Sequence, residues 1–385
     1  MNRTYASLPR TIFDVMSGLA RDTGAVNLGQ GFPEEDGPRD IREAAARATL
    51  EESNQYPPMM GLPLLREAVA EHYGRMQNLA LDWKNEVTIT SGATEAIAAS
   101  ILAVVEPGDE VILFEPMYDA YRPLVERAGG VAKFVRLEAP DWRVPEEALR
   151  HAITEKTKAI VLNSPLNPSA SLLGGDDLAL IAHFCVAHDL IAICDEVWEH
   201  VTFDGRLHEP LIARPGMRER TIKIGSAGKM FSMTGWKIGF VCAAPAITEV
   251  VAKAHQFLTF TTPPNLQRAA AYGLSREKSY FDAMRDDFQK ARDRMAKGLA
   301  QEGFAVLPCA GTYFLNVDLT ASGISLTDED FAIRAVKEHG VASIPLSPFY
   351  ATPPERQLIR LCFAKRDETL DKGVERLAAA RRAFN

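Results

Sequence analysis

The sequence lacks several features that define other protein classes. It has only five cysteines and no Cys-x-x-Cys pair, and most of the five lie in apolar runs such as Ile-Ala-Ile-Cys194 and Leu-Cys362-Phe. This pattern favours reduced core thiols in a cytoplasmic protein over disulfides or a zinc site. The longest apolar run, about 96–105, is too short for a membrane span and is expected to form an interior helix. The N-terminal residues contain no apolar stretch typical of a signal peptide.

An excess of positive charge is also missing. The chain carries 43 Lys and Arg against 51 Asp and Glu, which gives a net charge of −8. This balance argues against a nucleic acid or an anionic membrane as partner. The 385 residues are enough for two domains, and 46% hydrophobic with 24% charged residues is typical of a soluble globular protein.

Apolar, β-branched runs alternate with segments of helical periodicity. This alternation predicts an α/β fold with a mainly parallel sheet covered by helices on both faces. Within one helix, Leu178, Ile181, Phe184 and Cys185 form an apolar stripe. A long charged helix is predicted from about 277, followed by strands at 312–317 and 358–363 in a smaller α+β domain. The predicted strands of the large sheet are 86–90, 110–114, 158–162, 190–194 and 221–224.

The predicted domains follow from this change of pattern. Residues 1–45 are predicted to be an N-terminal segment that joins the small domain. Residues 46–276 form the large, ligand-binding domain, and residues 277–385 form the small C-terminal domain.

In an open parallel sheet, ligands bind beyond the carboxyl ends of the strands, so the residues there are the first candidates. Lys229 follows the strand at 221–224, among Met230, Phe231 and Trp236. An amine in such apolar surroundings has a lowered pKa, which suits a Schiff-base lysine. The alternatives are a solvated surface lysine and a nucleotide-binding P-loop, but the glycine spacing does not fit a P-loop and Met230 replaces its Ser or Thr.

Two further charged residues stand next to or inside apolar strands. Asp195 follows five apolar residues, and a carboxylate buried there needs a partner. Arg360 lies inside the apolar strand 358–363 and needs a buried anion, for which an α-carboxylate is a good bidentate match. The alternatives are an N-cap or exposed aspartate and an edge-strand arginine that faces water.

The order of these motifs along the chain resembles the pyridoxal 5′-phosphate (PLP)-dependent aminotransferases of classes I and II, fold type I. The similarity is greatest to the kynurenine, glutamine and methionine aminotransferase group and covers nearly the whole chain. It rests on Ser226-Ala-Gly-Lys229, Asp195-Glu196, Asn167-Pro168 and the strand around Arg360. The resemblance implies a ping-pong transfer of an amino group, through the PLP and PMP forms of the cofactor, from an L-amino acid to a 2-oxo acid such as 2-oxoglutarate or pyruvate.

The resemblance also implies a role for each site residue. Lys229 carries PLP as a Schiff base and moves the proton, while Asp195 pairs with the pyridine nitrogen. Tyr118 stacks on the pyridine ring, although a core aromatic is an equal alternative from the residues alone. Asn167 hydrogen-bonds the O3′ atom, and turn chemistry alone is the alternative for that asparagine. The residues expected to hold the phosphate are Ala93, Thr94, Ser226 and Lys237; the first two open a helix whose free N–H groups suit an anion.

The substrate side of the site is likewise implied by the resemblance. Arg360 and Gly31 hold the substrate carboxylate, and Phe13 lines the pocket. Tyr56 reaches the phosphate of the neighbouring subunit's cofactor, which implies a homodimer with shared active sites. Phe260 lies in the segment 255–261, which resembles the pocket wall given by the partner and contains no Arg or Lys. A neutral or aromatic amino donor is therefore expected, as part of amino acid metabolism.

The chain departs from the family pattern at two places. Trp198 stands where the family usually has Tyr, and its indole N–H is expected to donate to O3′ instead. Ser169-Ala170 replaces the usual Thr-Gly.

Two other functions are possible on the same fold. The first is a PLP-dependent C–S β-lyase. A PLP-sensing transcription regulator is the other alternative, but such proteins carry a DNA-binding module, for which no room is expected before Asn27.

Overall fold

A computed structural model describes residues 1–385 of the chain. Each strand predicted from the sequence is present, with bounds that differ by one or two residues. The strands are β1 (Val26–Asn27), β2 (Val87–Ser91), β3 (Glu110–Glu115), β4 (Val131–Arg136), β5 (Thr157–Asn163), β6 (Ile191–Asp195), β7 (Thr221–Ser226), β8 (Ile238–Cys242), β9 (Ala305–Val306), β10 (Phe314–Asp318), β11 (Val341–Ala342), β12 (Ile344–Pro345) and β13 (Leu358–Cys362).

The large sheet has seven strands in the order β2-β8-β7-β6-β5-β3-β4. Only β8 runs antiparallel to its neighbours, so the predicted mainly parallel sheet is confirmed. Two strands of this sheet, β4 and β8, were not predicted from the sequence. β4 is an edge strand whose residues are mostly half-buried or exposed, so it lacks the continuous apolar run that marks the central strands.

Fifteen α-helices connect and flank the strands. They are α1 (Arg3–Ser7), α2 (Ile12–Thr23), α3 (Arg39–Glu51), α4 (Pro63–Gln77), α5 (Trp83–Glu86), α6 (Gly92–Val104), α7 (Tyr121–Arg127), α8 (Glu146–Ala152), α9 (Gly175–Ala187), α10 (Ala227–Met230), α11 (Pro245–Leu258), α12 (Pro264–Leu274), α13 (Lys278–Gln301), α14 (Asp328–His339) and α15 (Asp367–Phe384). None of them is both long and apolar enough to span a bilayer.

The large sheet is covered on both faces, as its sequence indicates. Alternate residues of β5 point to opposite sides: Ala159 and Val161 pack in one apolar cluster with α6, whereas Ile160 and Leu162 pack in another with α9. The predicted stripe on α9 is buried in that second cluster. All five cysteines are buried and none is disulfide-bonded.

Two smaller sheets bring the N- and C-terminal parts of the chain together. β1 pairs in parallel with β11, and the antiparallel sheet β12-β13-β10-β9 carries Arg360 in its strand β13. The N-terminal segment thus joins the C-terminal region, while α3 packs against α12 beside the large sheet. α3 is continuous across the domain boundary expected at residue 45, and the domain bounds themselves stay a prediction.

Candidate active site

One cavity of about 370 Å³ lies at the carboxyl ends of the large sheet's strands. The last residues of β5, β6 and β7 line it, so the βα order of the chain builds it. All the predicted site residues except Tyr56 and Phe260 line this cavity. They are Phe13, Gly31, Ala93, Thr94, Tyr118, Asn167, Asp195, Trp198, Ser226, Lys229, Lys237 and Arg360.

Lys229 sits on the short helix α10, directly after β7. Its Nζ lies 4.6 Å from the centre of the Trp198 ring and 3.2 Å from the hydroxyl of Tyr313. Burial lowers the pKa of Lys229 to about 8, although the Asp195 carboxylate acts in the opposite direction and favours the ammonium form. A substantial fraction of the amine is therefore uncharged in mildly alkaline solution, which a surface lysine would not be.

Asp195 ends β6 and is almost fully buried. Its Oδ2 accepts a hydrogen bond of 2.6 Å from the hydroxyl of Tyr121, but its Oδ1 is buried without any partner. Burial raises the pKa of this carboxyl to about 6, and the Tyr121 hydrogen bond limits the rise. An unpaired buried carboxylate oxygen at a cavity wall fits a cationic N–H from a ligand, such as a protonated pyridine nitrogen.

The phosphate end of the cavity has the features of an anion site. Gly92 opens α6 with φ +73°, and a Cβ there would lie 3.3 Å from Nζ of Lys237. Glycine therefore leaves the space in which the lysine amine reaches the start of the helix. The side chain of Ser91 does not cap the helix, and Ser226 contributes a hydroxyl from the end of β7. Free N–H groups, a hydroxyl and an amine together suit a phosphate monoester.

Arg360 lies in β13 with 1% of its surface exposed. One Nη donates to Oδ1 of Asn167 at 2.6 Å and the other to the Gly29 carbonyl at 3.1 Å, while Nε has no partner. No carboxylate of the chain forms an ion pair with it, and burial lowers its pKa to about 10. The guanidinium lies 3.9 Å from the centre of the Phe314 ring, so a buried cation faces the cavity without a carboxylate in contact.

Asn163 connects two strand ends below the cavity. Its side-chain amide donates to the Asp195 carbonyl at 2.7 Å, and its Oδ1 accepts from the backbone N–H of Asn167 at 2.8 Å. This fixes the turn that carries Asn167. Trp198 packs its ring edge-on against Tyr313, with ring centres 4.3 Å apart.

Four residues of the site carried no role in the sequence analysis. Tyr121, Tyr313, Phe314 and Asn163 contact Asp195, Lys229, Arg360 and the Asn167 turn, respectively. Asn163 ends a predicted strand, so its position was a usable signal. Tyr121 and Tyr313 carry no comparable signal, because an aromatic residue near a strand is more often part of the core.

Tyr56 and Phe260 do not line the cavity of their own chain. They are 83% and 41% exposed and contact each other edge-on, with ring centres 5.5 Å apart. Phe257, at 85% exposure, and Leu258 add to the same exposed segment. Large aromatic groups exposed together mark an interaction surface.

Comparison with known proteins agrees with this geometry. The family Aminotransferase class I and II matches residues 23–377. The chain belongs to this family. Methionine aminotransferase of Escherichia coli (strain K12) is 42% identical over 371 residues, which cover 96% of each chain. A probable N-succinyldiaminopimelate aminotransferase of Mycobacterium tuberculosis is 44% identical over 389 residues, 98% of this chain and 96% of the relative.

A solved structure shows the same fold. The crystal structure of an Escherichia coli protein identified as a methionine aminotransferase superposes with a TM-score of 0.95 and 41% identity, covering 98% of this chain and 99% of the other. The protein is therefore a PLP-dependent aminotransferase of fold type I, and transamination is favoured over the lyase alternative. The unpaired Oδ1 of Asp195 and the Gly92–Lys237 anion site show that the cavity suits this cofactor.

Proposed function

We propose that Lys229 is the Schiff-base lysine and that Asp195 pairs with the pyridine nitrogen of PLP. The observation that carries this proposal is the unpaired Oδ1 of Asp195 in the wall of the cavity that also receives the Lys229 amine. Ala93, Thr94, Ser226 and Lys237 hold the phosphate. Tyr118 stacks on the ring, and Asn167 with Trp198 faces its O3′ side. These roles are supported by the shared cavity and by the order of the strand ends.

The chain's own groups then divide the work of the reaction. When bound, PLP supplies an electron sink for the electrons left at the substrate Cα after its proton is removed. Lys229, as the neutral amine, takes that proton and delivers it to the C4′ carbon, which lies on the other side of the amino nitrogen. Asp195, as the carboxylate, keeps its partner N–H charged. Arg360 and Gly31 fix the substrate carboxylate so that the Cα–H bond is held in one orientation.

We further propose a neutral or aromatic L-amino acid as donor and a 2-oxo acid as acceptor. The cations that line the cavity are Lys229, Lys237 and Arg360, each with a role already assigned, so none is left for a distal carboxylate. Phe13 and Phe314 flank Arg360 and add apolar surface for the donor side chain. The similarity to a methionine aminotransferase supports this choice.

A homodimer with shared active sites is the proposed assembly. The exposed surface formed by Tyr56, Phe257, Leu258 and Phe260 supports it, because water-exposed aromatic rings in one patch favour burial against a second copy. Tyr56 and Phe260 would then complete the partner's cavity. The five buried thiols without disulfides support a cytoplasmic location.

Reductive trapping tests the central role. Borohydride reduction of the PLP-loaded protein, followed by peptide mass spectrometry, should place the cofactor on Lys229. Lys229→Ala should fold, bind PLP weakly and lose nearly all transamination, because the covalent anchor and the proton carrier are removed together. Lys84→Ala, at an exposed lysine outside the cavity, is the matched control and should retain full activity. Near-normal turnover in Lys229→Ala would contradict the proposal.

A further inference from the structure

We infer that Tyr313 is a positioning residue for Lys229 and links its amine to the N-terminal loop at Gly31. The Tyr313 hydroxyl lies 2.7 Å from the Gly31 carbonyl oxygen and 3.2 Å from Nζ of Lys229. The three groups come from parts of the chain that are far apart in sequence. This inference rests on the proposed role of Lys229 as the Schiff-base lysine.

The direction of both hydrogen bonds follows from the chemistry of the groups. A carbonyl oxygen can only accept, so the phenol donates its single proton to Gly31. Its oxygen lone pairs are then left for the amine of Lys229, which donates. Burial raises the pKa of Tyr313 well above its ordinary value, so the phenol stays neutral and this arrangement persists across the working pH range.

The Tyr313 side chain has little freedom to leave this position. It is 1% exposed, and its ring packs edge-on against Trp198 and Phe314. The Tyr313 carbonyl accepts a backbone hydrogen bond of 3.0 Å from Phe363, which fixes the start of β10. The hydroxyl is therefore a fixed acceptor toward which the flexible lysine side chain moves.

A fixed acceptor has two consequences for Lys229. It holds the amine at a defined place whenever the lysine is not covalently bound, which shortens the search for the substrate Cα proton. It also stabilises the ammonium more than the neutral amine, because a charged donor makes the stronger hydrogen bond. The other titratable groups that act on Lys229 are Asp195 and Cys362, which favour the ammonium, and Arg360 and Lys237, which disfavour it.

The link to Gly31 gives Tyr313 a role that a simple packing residue would not have. Gly31 belongs to the loop proposed to hold the substrate carboxylate, and a Cβ at Gly31 would lie 3.1 Å from the Phe314 ring and 3.6 Å from an Nη of Arg360. One hydroxyl group therefore connects this loop directly to the Lys229 amine. Loss of this hydroxyl should disturb the proton-transfer step more than the binding of the amino acid.

The test compares Tyr313→Phe with the wild-type protein in the cofactor-free form. PLP is added over a range of pH, the product is trapped with borohydride, and the trapped fraction at Lys229 is measured by mass spectrometry. The ionisations of PLP itself are the same in both measurements, so they do not contribute to the difference between the two midpoints. Because the ammonium loses an acceptor, the midpoint should move to lower pH by about half a unit or more. In the loaded enzyme, kcat should fall about tenfold or more, with a smaller change in KM.

Tyr73→Phe is the matched control. The Tyr73 hydroxyl is also buried and donates to Glu199 at 2.7 Å, but it bonds to neither Lys229 nor Gly31. This variant should lose stability without moving the capture midpoint. A midpoint that is unchanged in Tyr313→Phe, or that moves equally in Tyr73→Phe, would overturn the inference while the role of Lys229 stands. Cofactor trapped on a different lysine would overturn the proposed role of Lys229 and this inference together.

Discussion

The hydroxyl of Tyr121 donates a 2.6 Å hydrogen bond to Oδ2 of Asp195, whereas Oδ1 of the same carboxylate has no partner. One oxygen is thus satisfied by the protein, and the other is left for a ligand. The two residues are 74 positions apart in sequence and both are buried, and Asp195 lines the cavity. Tyr121 holds the carboxylate in the orientation that turns Oδ1 toward the proposed pyridine nitrogen.

Removal of that hydroxyl should weaken Asp195 as a partner. In Tyr121→Phe the pKa of Asp195 should rise further, because the hydrogen bond that lowers it is lost. We expect turnover to fall about tenfold, or about 1.4 kcal/mol in transition-state free energy, together with weaker PLP binding. Tyr350→Phe, at a partly buried tyrosine that makes no hydrogen bond to Asp195, should leave both unchanged. Equal kinetics for the two variants would show that Tyr121 only packs.

Asp195→Asn should stabilise the cofactor-free protein at neutral pH while abolishing activity. The pKa of Asp195 is raised to about 6 from its ordinary 3.8, so its stabilising contribution is present below about pH 4 and is lost as pH rises through about 6. Asparagine has no proton to lose there. Between pH 4 and 7, the free energy of unfolding of the variant should therefore rise relative to that of the wild type, by roughly 2–3 kcal/mol at most. Urea unfolding of both cofactor-free proteins at pH 4 and pH 7 measures this change. A difference in stability between the two proteins that does not depend on pH would contradict the prediction.

Trp198→Phe should change the titration of the lysine-bound cofactor and leave phosphate binding largely intact. The indole face lies 4.6 Å from the Lys229 amine, and in the proposed site the indole N–H donates to O3′. Phenylalanine keeps an aromatic ring but removes the donor. The measurement is a pH titration of the cofactor's absorbance, with inorganic phosphate competition as the control for the phosphate site. An unchanged titration would assign Trp198 to packing alone.

The donor preference should favour methionine or phenylalanine over aspartate. The reason is that the cavity offers aromatic surface beside Arg360 and no further cation for a distal carboxylate. The ratio of kcat/KM for these donors decides the point, with N-succinyldiaminopimelate included because a relative is named for it. Aspartate preferred by tenfold or more, about 1.4 kcal/mol, would overturn the apolar pocket and leave the aminotransferase assignment intact.

Ala170→Gly should change the free energy of unfolding by less than about 1 kcal/mol. Ala170 adopts φ +61° where the family usually has glycine, so glycine relieves roughly 1–2 kcal/mol of backbone strain. The gain is offset by the loss of a buried methyl group, about 0.8 kcal/mol, and by the larger chain entropy of the unfolded state. Urea unfolding checks this result. Ala170→Val is the contrast and should destabilise clearly, because a β-branched residue is poorly tolerated at positive φ.

Several parts of the fold and site could be predicted from the sequence because their signals are local. A central parallel strand is a continuous apolar run, and the residues after successive runs must meet at one edge of the sheet. Lys229, Asp195 and Asn167 were found in this way. Arg360 was found because a charged side chain inside an apolar strand is costly to bury unless an anion pairs with it. Strand β4 was missed because an edge strand with polar residues lacks that signal.

Tertiary structure alone decided how the groups contact each other. Tyr313 reaches Lys229 across 84 positions and Gly31 across 282, and no local pattern encodes such distances. The edge-on contact between Tyr56 and Phe260, outside the cavity of their own chain, is likewise seen only in the tertiary structure. The sequence by itself determined which chemical groups stand at the strand ends, because the local pattern of apolar residues predicts where each buried strand ends. Which oxygen of Asp195 is paired and which is free was decided only when distant segments packed together, because a hydrogen bond depends on positions in space.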